Sequence, residues 1–254
     1  MSVDRAELVV ALDELLNARS ISDYCPNGLQ VEGSAHVARV ATAVTACQAA
    51  IDQAIAWQAD LLLVHHGYFW KGESEPLVGM KRRRIGALLG ANINMMAYHL
   101  PLDYHPELGN NTGLGRLLQS ALPPFEMFVG DPSRPIWQGV FAEPCDAQTL
   151  HRGIEAALGK ACLWVEAGES QIQRFGWCTG GAQNLVDQAA QLGLDAFISG
   201  EISEKTTHSA REQGLHFFAA GHHATERSGV QALGAWLAES FGLEHRFIDV
   251  ANPA

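Results

Sequence analysis

The sequence predicts an α/β fold made of two similar, internally duplicated domains. Three observations predict it. Short apolar runs of strand length alternate with amphipathic stretches of helix length. Several of these runs end at a glycine or a polar cluster, as buried parallel strands do. The order of segments in the first half recurs in the second.

Asp4 to Asn17 reads as an amphipathic helix, with Leu8, Leu12, Leu15 and Leu16 at helical spacing and Asp4 at its cap. The following "SDYCPNGLQVEG" is rich in turn formers and reads as a loop around Pro26-Asn27-Gly28. Val37 to Thr45 is a β-branched strand, and Cys47 to Gln58 a helix. After Asp60 comes Leu61-Leu62-Leu63-Val64, a wholly apolar run that reads as a buried central strand. It stops at His65-His66-Gly67. Ligands of open α/β sheets lie beyond the carboxyl ends of the strands. Two imidazoles there are therefore metal ligands or acid/base groups, or else polar loop residues with local partners. Adjacent strand residues face opposite ways, so a turn through Gly67 is expected to rotate both into one pocket. Tyr68 and Trp70 can stack on a heterocycle or belong to a core or subunit interface.

Lys81 to Leu89 is a helix whose basic Lys81-Arg82-Arg83-Arg84 start reads as solvated. Ile93 to Tyr98 is the next buried strand, and it delivers His99 and Asp103. Asn111 to Leu122 is a helix. Pro123-Pro124 sets the expected boundary, with domains 1–122 and 123–254.

The second half reads as strand Ile136 to Ala142, helix Asp146 to Leu158, strand Ala161 to Glu166 and strand Ile172 to Cys178. Then come Thr179-Gly180-Gly181, helix Gln183 to Leu192 and strand Asp195 to Ser199, ending at Gly200-Glu201. Helix Ser203 to Gln213 and strand His216 to Ala220 lead into Gly221-His222-His223-Ala224-Thr225-Glu226. A last helix ends near Gly242, and Phe247 to Val250 closes the chain as a strand. The "TGGAQ" loop is a phosphate cradle or a plain turn.

Aligning Asp60 with Asp195 superposes "DQA" at Asp52 on "DQA" at Asp187, Gln48 on Gln183, and His65-His66 on Gly200-Glu201. One strand later, His99-x-x-x-Asp103 is expected to fall on His222-x-x-x-Glu226. The repeat predicts two similar sheets whose strand tips face one crevice, with Glu201 lining it. The tips supply His65, His66, His99, Asp103, Glu201, His222, His223 and Glu226. Imidazole and carboxylate without a thiolate cage suit Zn²⁺, Mn²⁺ or Fe²⁺. Thr225 is expected to cap the last helix and put Glu226 in its first turn, at the positive end of the dipole.

Composition narrows the function classes. The 254 residues are 47% hydrophobic and 18% charged, enough to bury a sizeable core. A net charge of −11 argues against non-specific binding to nucleic-acid phosphates. Five cysteines, none in a C-x-x-C pair, fit reduced thiols in a cytoplasmic protein. The N-terminal stretch lacks the pattern of a signal peptide, and no apolar run approaches the ~18 residues of a membrane span.

Five strings together resemble the GTP cyclohydrolase I type 2 homologue family, the YbgI-like proteins: "NGLQVEG" from Asn27, "LLVHHGYFWKG" from Leu62, "YHLPLD" from Tyr98, "CTGGAQ" from Cys178 and "GHHATE" from Gly221. The resemblance spans nearly the whole chain. It implies two related α/β domains, a ring-shaped homohexamer and two divalent metal ions (Fe, Zn or Mn) in the interdomain crevice. It implies His65, His66, Asp103, His222 and Glu226 as metal ligands, with Asp103 and Glu226 bridging. His99, outside that set, is expected to move a proton or support a ligand. The function expected is a metal-dependent hydrolase acting on a small nucleotide-like or heterocyclic substrate. The alternative is a non-catalytic metal store, chaperone or ring scaffold.

Overall fold

The computed structural model describes residues 2–254, and the chain forms two compact units. One runs to Leu108 and resumes over Gly229–Ala251; the other comprises Gly109–Ser228 and Asn252–Ala254.

The first unit is built on a five-stranded sheet ordered Glu244–Phe247, Arg39–Thr45, Leu61–His66, Asn94–Ala97, Gly28–Val31. The first four strands are parallel and the last is antiparallel to its neighbour. Alternate residues of the central strand serve opposite faces. Leu62 and Val64 pack with Ile51, Ala54, Ile85 and Leu88 of the Gln48–Ala56 and Gly79–Gly90 helices. Leu61 and Leu63 pack with Leu8 and Leu12 of the Arg5–Leu15 helix and with Val230, Leu233 and Leu237 of the Arg227–Phe241 helix. Helices thus cover both faces, which is why this strand reads as unbroken hydrophobics.

The second unit carries a six-stranded sheet ordered Phe125–Phe128, Trp137–Asp146, Gln171–Cys178, Ala196–Ser199, His216–Ala219, Leu163–Val165. Its Gln171–Cys178, Ala196–Ser199 and His216–Ala219 strands are parallel, and the others pair antiparallel. The Asn110–Ala121 helix belongs here because Gly115 lets Trp177 and Met127 approach its backbone, and Trp177 Nε1 donates to the Asn111 carbonyl at 2.9 Å. The chain therefore changes unit at Leu108/Gly109, before that helix, and not at the Pro123-Pro124 break after it.

The duplication is written into the hydrogen bonds. Asp60 Oδ2 accepts from Ala38 N at 2.8 Å and Arg39 N at 2.9 Å. Asp195 Oδ2 accepts from Gln173 N and Arg174 N, both at 2.8 Å. Each aspartate thus fastens the start of one parallel strand to the start of the next. Val64 pairs with Ala97 as Ser199 pairs with Ala219. This register matches His99 to Gly221 and Asp103 to Thr225, one residue away from the superposition that the sequence pattern suggested. Both tips enter a short helix at the next position, Leu100 and His222.

Three short strands differ from expectation. Gly28–Val31 and Phe125–Phe128 are strands inside stretches that read as loop or break, because edge strands of four residues carry too little pattern to detect. The closing strand is Glu244–Phe247, earlier than Phe247 to Val250, since it pairs from Glu244 with Arg39 onward. Gly242, at φ +66°, stops the last helix as expected. No described helix is long and apolar enough to cross a membrane.

His245 on that closing strand lies with Nε2 2.9 Å from Thr42 Oγ1. Its ring rests on Gly234, where a Cβ would fall 2.1 Å from Nε2. Burial pushes the His245 pKa below the ordinary 6.5. The unfolded chain therefore binds this proton more readily. The stability that neutral His245 contributes is complete above about 6.5 and is lost as pH falls through the lower folded value. His245→Gln is expected to lose less stability than the parent between neutral and mildly acid pH, as read by denaturant unfolding at both.

Candidate metal centre

In the first unit, the Leu61–His66 and Asn94–Ala97 strands end side by side, and their tips carry the histidines. His65 is fully buried. Its Nδ1 donates to the Tyr98 carbonyl at 3.0 Å, so the lone pair is on Nε2, which lies 3.5 Å from Asp103 Oδ1. Asp103 is buried on the Leu100–Tyr104 helix. His66 is hydrogen-bonded through Nδ1 to Thr45 Oγ1 at 3.1 Å, and the two imidazole centroids are 4.5 Å apart. Both rings thus belong to one cluster, although Gly67 achieves this without a left-handed turn. Gly67 is needed for closeness, since a Cβ there would fall 2.3 Å from Gln30 Oε1 and 2.6 Å from Ala97 Cβ.

His99 joins the cluster: it can bring one nitrogen within 4.8 Å of nitrogens of His65 and His66. Its Nδ1 donates to Asp23 Oδ1 at 2.7 Å, and its backbone N–H donates to Asn27 Oδ1 at 2.7 Å. Asp23 also accepts from Tyr24 N at 2.6 Å, Asn27 Nδ2 at 2.9 Å and Leu100 N at 2.9 Å. Burial alone would raise its pKa, but the hydrogen bonds from His99 and Asn27 and the charge of His99 outweigh this and hold it at about 2. Cys25 lies within metal-ligand reach of Asp23 and His99. Yet both Asp23 oxygens are already engaged, and burial followed by the Asp23 charge pushes the Cys25 thiol up to about 12. That trio is a structural clamp with a neutral thiol. Trp70 stands edge-on to His99 with centroids 4.9 Å apart. Tyr68 is core: it is buried and donates to the Ala46 carbonyl at 2.7 Å.

In the second unit, His222 lies between two carboxylates. Nδ1 is 2.7 Å from Glu201 Oε1 and Nε2 is 3.1 Å from Glu226 Oε2. Burial disfavours a charged ring, but the hydrogen bonds and charges of Glu226 and then Glu201 push its pKa up to about 9. Glu226 is nearly fully buried and sits between the His222–Thr225 turn and the Arg227–Phe241 helix. Thr225 is not a cap: its hydroxyl donates back to the Gly221 and His222 carbonyls at 3.0 and 2.9 Å. The Thr179-Gly180-Gly181 loop is a plain turn with respect to phosphate. The N–H groups of Thr179, Gly180 and Ala182 are taken by Asn111 Oδ1, Thr225 Oγ1 and Ser199 Oγ. Its glycine serves another end. Gly180, at φ +66°, lets Glu226 and His222 close against the backbone, where a Cβ would fall 2.0 Å from Glu226 Oε1 and 3.0 Å from His222 Nε2.

The donors in each unit are imidazole nitrogens, whose second nitrogens are held by protein groups, and carboxylate oxygens, and the chemistry of these donors fits a borderline divalent cation. Sequence reasoning missed Asp23, Asn27, Thr45 and Gly180 as parts of the site. The Asp, Asn and Gly among them are also the ordinary residues of turns, so their identity alone carried no separate sign.

The sequence pattern of the Duf34/NIF3 (NGG1p interacting factor 3) family matches residues 3–253. The chain belongs to this family. Two curated relatives, each named GTP cyclohydrolase 1 type 2 homolog, are similar end to end. The Pseudomonas aeruginosa protein is 52% identical over 255 residues, covering 100% of both chains. The Escherichia coli K12 protein is 51% identical over 249 residues, covering 98% of both. Among solved structures, protein ybgI, described as of unknown function, is 50% identical with a TM-score of 0.94, over 99% of this chain and 100% of that one. A Thermus thermophilus structure is 33% identical with a TM-score of 0.88, over 99% and 100%. Family membership thus agrees with the resemblance carried by the five strings.

Gly180→Ala is expected to force Glu226 and His222 apart and to cost roughly 1–3 kcal/mol from overpacking, besides strain at positive φ. Gly181→Ala, whose Cβ would meet nothing closer than 3.7 Å, is expected to be tolerated. Denaturant unfolding and metal content of the two variants check this.

Proposed function

We propose that the protein is a dinuclear metal-dependent hydrolase acting on a small nucleotide-like or heterocyclic molecule. In this reading His65, His66 and Asp103 of the first unit and His222 and Glu226 of the second would hold two divalent ions, which would supply Lewis-acid chemistry and an activated water. The observation that carries the reading is the shared presentation of the imidazoles. His65, His66 and His222 each have Nδ1 engaged by a protein group, at 3.0, 3.1 and 2.7 Å, which is how metal-ligating histidines are oriented. Five donors also exceed the four of a closed structural zinc site.

The chain's own residues do the rest. His99, with Nδ1 on Asp23, has Nε2 to carry a proton to or from the reacting group. Asp23 holds the tautomer and the ring orientation, as an aspartate behind a catalytic histidine does. Trp70, beside His99, gives a ring face or edge to a planar substrate. The substrate class leans on the names of the relatives, which refer to a GTP cyclohydrolase.

A ring-shaped homohexamer in the cytoplasm is part of the same proposal. Its support is the exposed apolar set Leu77, Val78, Met80 and Leu89 and five cysteines with no C-x-x-C pair among them.

Elemental analysis of the purified protein is expected to give two equivalents of Zn, Mn or Fe, and His65→Ala and Glu226→Gln to lose metal while staying folded. His99→Gln is expected to keep its metal and lower kcat about 10²–10⁴-fold on whichever nucleotide, cyclic amidine or phosphoester the loaded protein turns over. Full metal with no turnover on any of these would favour a metal store or scaffold instead.

A further inference from the structure

The three imidazoles of the proposed ligand set are not backed alike. Behind His65 stands a backbone carbonyl, behind His66 a threonine hydroxyl, and behind His222 the carboxylate of Glu201. Glu201 occupies the position in its sheet that His66 occupies in the other, two residues beyond the paired Ser199 as His66 is beyond Val64. Where one copy of the repeat carries an imidazole, the other carries an acid aimed at an imidazole. Its second oxygen, Oε2, accepts from Gln183 Nε2 at 3.3 Å, and its side chain is 43% exposed. So Glu201 is oriented toward His222 from a partly solvated position, and it is not holding a core together.

We propose that Glu201 is a positioning residue for one of the two ions. It fixes the His222 ring and strengthens Nε2 as a donor more than a neutral acceptor can, because a charged acceptor makes the stronger hydrogen bond. An imidazole nitrogen has one lone pair and so serves one ion. The ion that takes His222 therefore depends on Glu201, and the other does not. The two ions are held with unequal affinity. This inference rests on the dinuclear reading above.

The test is competition for Zn²⁺ between the full-length protein and a chromophoric chelator, for the parent, Glu201→Gln and Glu201→Ala. The parent decides the dinuclear reading: fewer than two equivalents of Zn²⁺ would remove it, and this inference with it. Given two equivalents, Glu201→Ala is expected to weaken one of them roughly 10–100-fold and leave the other unchanged. Glu201→Gln, whose amide oxygen still accepts from Nδ1, is expected to fall between. The metal-free variants are expected to stay cooperatively folded, with a Tm lowered only by the loss of the Glu201–His222 hydrogen bond. Unchanged binding of both equivalents in Glu201→Ala would overturn the proposal while leaving the dinuclear reading intact. So would equal loss of both, or loss of cooperative folding in the metal-free variant, since either would make Glu201 a general structural residue.

Discussion

The candidate ligands of each unit depend on hydrogen bonds made by the far nitrogen of each imidazole. A free histidine has two interchangeable tautomers and a rotating ring. Here the Tyr98 carbonyl and the Glu201 carboxylate leave His65 and His222 no choice of proton position on Nδ1. Thr45 ties His66 at the same atom. None of these partners could act without the strand ends that carry them. Tyr98 follows the Asn94–Ala97 strand, Thr45 ends the strand before the histidines, and Glu201 lies just past Ala196–Ser199.

Those strand ends are set by the core beneath. The Leu61–His66 strand has no freedom to slip, because a one-residue shift would send Leu62 and Val64 to the face that receives Leu61 and Leu63. Asp60 and Asp195 fasten the other ends of the parallel strands with paired backbone hydrogen bonds. Register fixed at one end fixes which residues emerge at the other. The same plan in both units shows that the repeat is one of hydrogen bonds and pairing as well as of sequence.

Loops around the tips make closeness possible where regular structure cannot. Gly67 and Gly180 are both needed because side chains press against their backbone, and only Gly180 also needs a positive φ. Asp23 and Asn27 wrap the His99 tip with five hydrogen bonds that reach its ring, its backbone N–H, the Leu100 N–H, Tyr24 N and one another. A polar loop that reads as mere punctuation in the chain is here the wall of the site.

The sequence by itself determined the α/β class, the helices and the parallel strands, and the polar tips at their carboxyl ends. Apolar runs of strand length and helical periodicity are local properties, and a strand end is visible wherever such a run stops. The duplication was also legible, since Asp60 and Asp195 and the helices before them align directly. The tertiary structure alone decided the rest. It moved the last helix and strand into the first unit, because their apolar face fits the Leu61 and Leu63 side of that sheet. It set the repeat one residue off at the second tip, because pairing register, not residue similarity, governs equivalence. It gave Asp23, Thr45, Glu201 and Gly180 their roles, because a hydrogen bond or a backbone approach between distant segments leaves no pattern in either segment alone.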